Sequence, residues 1–178
     1  MIRENFDTLD TLLGRYVAGN LPLPAHVLVK SHLEMKTENH DRVRALESLA
    51  GMALEEMDGA ELTNRSTMLS SIFGSSQPNL NRPDSSLTMS TSRVFPPALL
   101  EFIGNDAESL AWKTRLPGYR EHDLGEIEGL HVHLFWIKPG RTMPAHTHEG
   151  SELSLVLTGA FSDVRGHYGR GDISVADD

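Results

Sequence analysis

Three residues within one short stretch have the types and the spacing to hold a metal ion. In PGRTMPAHTHEGSELSLVLTGAF, His146 and His148 are separated by a single residue, and Glu152 follows after three more. Residues two apart on an extended chain face the same side, so both imidazoles project together. Gly150 sits where the chain can turn, and Glu152 opens the next strand-like run, which can return its carboxylate to that side. Two imidazoles and one carboxylate make a facial ligand set with open positions, suited to Zn²⁺, Fe²⁺, Mn²⁺ or Ni²⁺. Five residues separate Gly140 from His146, and six separate Glu152 from Gly159. Both are expected in turns that need a positive φ. A His-x-His pair alone recurs by chance; five fixed positions in a strand-rich context do not.

The remaining chemistry-bearing residues read as structural. The 178 residues include nine His and no Cys, so disulfides and thiolate metal sites are excluded and any metal must rest on His and carboxylates. His131 and His133, in LHVHLFWI, share the two-residue spacing and could line the same strand-built pocket, but no carboxylate follows at a useful offset, and they read as ordinary strand residues. His122 and His167 sit beside turn residues and are expected to face solvent, while Trp112 and Trp136 are expected in the core. Asp163 and Asp172 could be acid–base groups, but Gly171-Asp172 reads as a turn entering a strand. No Ser lies in a G-x-S-x-G setting, and there is no Gly-rich phosphate loop.

Charge narrows the partners. The formal net charge is -9, with 7 basic and 11 acidic residues in positions 1–74 and 9 and 14 in positions 75–178. Phosphate contacts need clustered Lys and Arg, so direct nucleic-acid binding is disfavoured, and a basic protein partner suits the charge better. The N-terminus lacks the pattern of a secretory signal, and no stretch reaches the ~18 apolar residues of a membrane span. A cytoplasmic, soluble protein is expected.

The elements that must position these residues fall into two kinds. Residues 1–74 read as helical: Leu9, Leu12, Leu13, Tyr16 and Val17 recur at helical steps, and Gly19 ends the run. Pro24 suits the first turn of a second helix with the stripe Val27, Leu28, Ser31, His32 and Met35. Asn39 can cap a third helix bearing Val43, Leu46, Leu49, Ala50 and Ala53, and Thr63 a short fourth ending near Phe73-Gly74. Residues 75–93, rich in Ser, Asn, Pro and Thr, read as a linker. Residues 94–178 read as a short helical entry, Pro96–Ile103, followed by strands at Leu110–Leu116, Tyr119–Leu124, Leu130–Ile137, Arg141–Thr147, Leu153–Leu157, Phe161–Val164 and Asp172–Val175. The fold class is α+β: an all-α N-terminal module, then a β-barrel domain.

The Gly140, His146, His148, Glu152, Gly159 skeleton matches the first cupin motif at every fixed position. Around it, the chain resembles the ChrR-type anti-sigma factors, which join a zinc-binding helical domain to a C-terminal cupin. The resemblance rests on LLGRYVAGNLPLPAHVLVKSHLEM in the first half, and on FPPALLEFIGNDAESLAWKTRLPGYREHDL and IKPGRTMPAHTHEGSELSLVLTGAFSDVRGHYGRGDISVAD in the second. It implies a transcriptional regulator whose helical domain sequesters an extracytoplasmic-function sigma factor, with Leu12, Tyr16, Leu28 and Leu33 helping to shape the clamp. The cupin would sense an oxidative signal, such as singlet oxygen or an organic hydroperoxide, through Zn²⁺ or another divalent metal on His146, His148 and Glu152.

Two departures qualify what the resemblance implies. The family's H-x-x-x-C-x-x-C pattern keeps His32 here, but Lys36 and Asn39 replace its cysteines, and Glu4 to Asp7 holds no upstream His. An ammonium repels a metal cation, so the helical module is expected to bind no zinc there and His32 to serve in packing. The chain also stops at Asp178 before the second cupin motif and its fourth ligand His, and Arg170 replaces a usual Pro. The barrel is therefore expected to be incomplete, with open edges that favour a homo-oligomer or a partner's strands. A cupin metalloenzyme of the dioxygenase kind, and a degenerate relative without metal sensing, stay open beside the regulatory reading.

Overall fold

The computed structural model describes residues 8–59, 63–75, 94–142 and 150–176. Helices α1 (Leu9–Val17), α2 (Leu23–Met35), α3 (His40–Glu55) and α4 (Arg65–Gly74) come first. Helix α5 (Pro97–Ile103) and a 3-10 turn at Ala107–Ser109 then lead into β1 (Lys113–Leu116), β2 (Tyr119–Ile127), β3 (Leu130–Ile137), β4 (Glu152–Leu155), β5 (Ala160–Ser162), β6 (His167–Gly169) and β7 (Ile173–Ala176). The class is α+β, as expected. Among the described residues the strands form three antiparallel sheets, β1-β2-β3, β4-β7 and β5-β6, and no closed barrel.

Local chemistry explains most boundaries. The Thr8 hydroxyl accepts from the Thr11 N–H at 3.2 Å and starts α1, and Gly19, at φ 69°, lies just beyond its end. The β3 bounds are those expected. Strand β1 is shorter than Leu110–Leu116 because the 3-10 turn and the Trp112 Nε1–H bond to Ala107 O (2.8 Å) hold the chain before it. Strand β6 was not anticipated, since His167–Gly169 is too short to show an alternation. Of the Arg141–Thr147 strand, residues 143–147 lie outside the described residues, as do 76–93 of the expected linker. Asn39 makes no capping bond, because its side chain is drawn to His32. Trp136 is not core: it is exposed on β3 with the Arg120 guanidinium 4.9 Å above its ring.

One apolar core joins helices to strands. Leu12, Leu13, Ala25, Val29, Val43 and Ile173 are buried together, with Leu130, Leu153, Leu155 and Val175 packed around them. Helix α2 is central and is held at both ends and on its flank. At its start, the Leu23 N–H donates to Glu128 Oε2 (2.6 Å), so a carboxylate from the β2–β3 turn meets the positive end of the helix dipole. On its flank, Glu34 Oε2 accepts from the Ala98 N–H at the start of α5 (2.9 Å). At its end, His32 Nδ1–H donates to Gly171 O (2.6 Å), and the Lys36 ammonium pairs with Asp172 Oδ1 (2.5 Å). Gly171 has φ 86°, and a Cβ there would stand 2.8 Å from Lys36 Cγ and 3.2 Å from Met35 Cβ, so only glycine permits this approach.

Candidate metal centre

Of the three ligand candidates read from spacing, His146 and His148 lie outside the described residues, and Glu152 opens β4. The frame around them is the expected one: Gly140, Gly150 and Gly159 adopt φ of 78°, 95° and 72°. Glu152 is half-buried and its Oε1 accepts from the Ser154 hydroxyl at 2.9 Å. Burial first, then the charges of Glu121 and Glu152, push the Tyr119 phenol above its ordinary value. A half-buried carboxylate at the head of a strand, next to three turns of the shape the motif needs, fits a metal-ligand role.

The β2–β3 hairpin carries a second constellation. His131, His133 and Phe135 stack along one face of β3, with ring centroids 4.7 and 5.6 Å apart. Asp123 pairs with His133 across the strands, and its Oδ1 lies 3.7 Å from both His131 Nε2 and His133 Nδ1. Glu121 Oε1 is 2.9 Å from the same His133 nitrogen, yet that buried nitrogen makes no hydrogen bond, so proximity is met and direction is not. The other Glu121 oxygen accepts from Arg115 Nε at 2.5 Å. The Asp123 carboxyl is held below the usual carboxylate range, first by the Gly125 N–H (2.7 Å) and then by His133, His131 and Lys113, against burial that pulls the other way. The expectation that His131 and His133 lack a carboxylate is thus corrected: it comes from the neighbouring strand, which linear spacing does not show.

His32, at the end of α2, is buried with both ring nitrogens engaged: Nδ1–H donates to Gly171 O, and Nε2 accepts from the Asn39 amide at 2.9 Å. Burial raises the Asp172 carboxyl, but the Lys36 hydrogen bond, the Gly169 N–H and the charges of Lys36 and His32 outweigh it and hold it below the ordinary range. A cation and filled hydrogen bonds therefore stand where the helical residues could have met a metal.

Comparison with known proteins decides the family. Residues 101–177 match the model of the ChrR cupin-like domain. The anti-sigma-E factor ChrR of Cereibacter sphaeroides is 33% identical over 168 residues, covering 94% of this chain and 77% of that protein. The chain belongs to the ChrR family. The crystal structure of Rhodobacter sphaeroides SigE in complex with the anti-sigma ChrR contains a chain that superposes with a TM-score of 0.74 at 32% identity, covering 99% of this chain and 88% of that one. The ChrR likeness thus spans helices and strands together, beyond the cupin-like segment.

Proposed function

We propose that this protein is an anti-sigma factor that sequesters an extracytoplasmic-function sigma factor through its helical part and senses an oxidative signal through a metal-holding cupin. The family supports the role, and one observation on this chain supports the surface. Helix α4 buries none of its ten residues, although it carries Met68, Leu69, Ile72 and Phe73, the last 84% exposed. The second half of α3 likewise exposes Leu49, Met52 and Leu54. A ten-residue helix without tertiary support is marginal in water, so this apolar surface fits one that a partner covers. Leu12, Tyr16, Leu28 and Leu33, expected to shape the clamp, pack in or against the core.

In the strand part, His146, His148 and Glu152 would hold Zn²⁺ or another divalent ion, which supplies a redox-responsive or structural anchor for the surrounding loops. The helical part needs no metal, since Lys36 and Asp172 already close α2 onto the strands. Action on a sigma factor places the protein in the cytoplasm, and among the described residues no helix is long and apolar enough to cross a membrane. The test is binding of the full chain to its sigma factor. Ile72→Glu with Phe73→Glu should weaken it at least about a hundredfold, as loss of central apolar anchors does, while the unfolding midpoint stays put. Unchanged affinity would remove the reading.

A further inference from the structure

We propose that Asp123, His131 and His133 form a second divalent-metal site on the β2–β3 hairpin, separate from the ion assigned to His146, His148 and Glu152. The three residues offer ligand atoms that all lie within 4.8 Å of one another. Bonds of about 2.1 Å place neighbouring ligands roughly 3 to 3.5 Å apart around one ion. The two 3.7 Å separations from Asp123 Oδ1 to the imidazoles therefore need shifts of only tenths of an ångström.

Three further observations point to a cation. The buried His133 Nδ1 has no hydrogen bond, which is costly for a polar atom unless something else takes its lone pair. Asp123 is held in place by the Gly125 N–H, as ligating carboxylates usually are. Arg115 pairs with Glu121 through one oxygen only, which leaves Oε1 beside His133 and adds a second carboxylate to the cluster.

The carboxylate is also placed by a departure from regular pairing. From the turn back to Gly125 the register is Ile127↔Leu130, Glu126↔His131, Gly125↔Val132; Leu124 is then skipped and Asp123 faces His133. Continued without the bulge, that register would set Asp123 opposite Leu134, on the other face of the sheet. Two imidazoles and a carboxylate select Zn²⁺, Co²⁺ or Ni²⁺ over Mg²⁺ or Ca²⁺. The site is distinct from Glu152 by element: Asp123, His131 and His133 belong to the β1-β2-β3 sheet, whereas Glu152 opens β4, which pairs with β7 in another sheet.

The experiment is zinc titration of chelator-stripped full-length protein against a chromophoric competitor, with imidazole NMR signals as a second readout. We expect two equivalents in the wild type, one in H146Q/H148Q, and one in D123N/H131Q, whose substituted side chains are exposed enough to leave folding intact. In H146Q/H148Q, zinc should perturb the His131 and His133 resonances, and adding D123N should weaken the remaining ion at least about tenfold. The inference is overturned if H146Q/H148Q stays folded and binds no zinc, which would reveal one shared ion or the motif site alone, or if D123N/H131Q retains all the zinc that the wild type binds. Should D123N/H131Q lose one equivalent while H146Q/H148Q loses none, the hairpin site stands and the motif reading falls.

Discussion

Two histidine clusters in this molecule have similar ingredients and opposite outcomes. At the end of α2, His32, Asn39, Lys36, Gly171 and Asp172 form a closed set in which each ring nitrogen of His32 has a hydrogen bond and the carboxylate has an ammonium. On the hairpin, His131, His133 and Asp123 bring ligand atoms within 4.8 Å of one another, with one buried nitrogen making no hydrogen bond. The first cluster joins segments more than 130 residues apart and is a structural joint. The second is built from one hairpin. A cation supplied by the chain closes the first set; the second holds a carboxylate and two imidazoles within reach of one ion.

If that contrast is right, substitutions at the joint cost stability and those on the hairpin do not. The largest effect is expected for His32→Ala, which removes a buried ring and two hydrogen bonds: about 2–4 kcal/mol in urea unfolding. A loss below about 1 kcal/mol would mean the joint is not what holds α2 to the strands. Gly171→Ala comes next, at about 1–3 kcal/mol, because its Cβ would meet Lys36 and Met35 at a positive φ.

A smaller, pH-dependent effect follows from Asp172. Its folded carboxyl titrates below the unfolded value of ~3.9, so its contribution is present above that value and is lost as pH falls through the folded one. Lys36 is raised, first by the Asp172 hydrogen bond, so its contribution is complete below ~10.4 and fades as pH rises through the folded value. Asp172→Asn should therefore flatten the acid limb of midpoint against pH and the alkaline limb with it. A curve superimposing on the wild type would break the assignment. The smallest effect is expected for Asp123→Asn without metal: its lowered carboxyl contributes a little at neutral pH, but the side chain is exposed and Asn keeps the oxygen that accepts from the Gly125 N–H, so the midpoint should fall only slightly, and a drop as large as that of Gly171→Ala would make the hairpin cluster structural like the joint.

Much of this was legible in the residues. Gly19 and Pro24 mark helix ends because backbone preference is local, and the motif glycines turn where the spacing requires, whereas the caps read at Asn39 and Thr63 do not form: Asn39 makes no capping bond and α4 follows Asn64. Helix α3 was legible only in part: Val43 is buried and Leu46 packs on the core, but Leu49 of the same stripe is 61% exposed. Periodicity marks an apolar face without saying whether this chain or another covers it.

The sequence by itself determined the α+β order, the Gly140 to Gly159 frame and the absence of a thiolate site, since these depend on residue type and short spacing. Only the tertiary structure decided that Lys36 meets Asp172 and that Asp123 meets His133. The first needs a shared core to bring distant segments together. The second turns on one extra residue in β2, and because side chains alternate along a strand, a shift of one changes the face on which every preceding side chain lies.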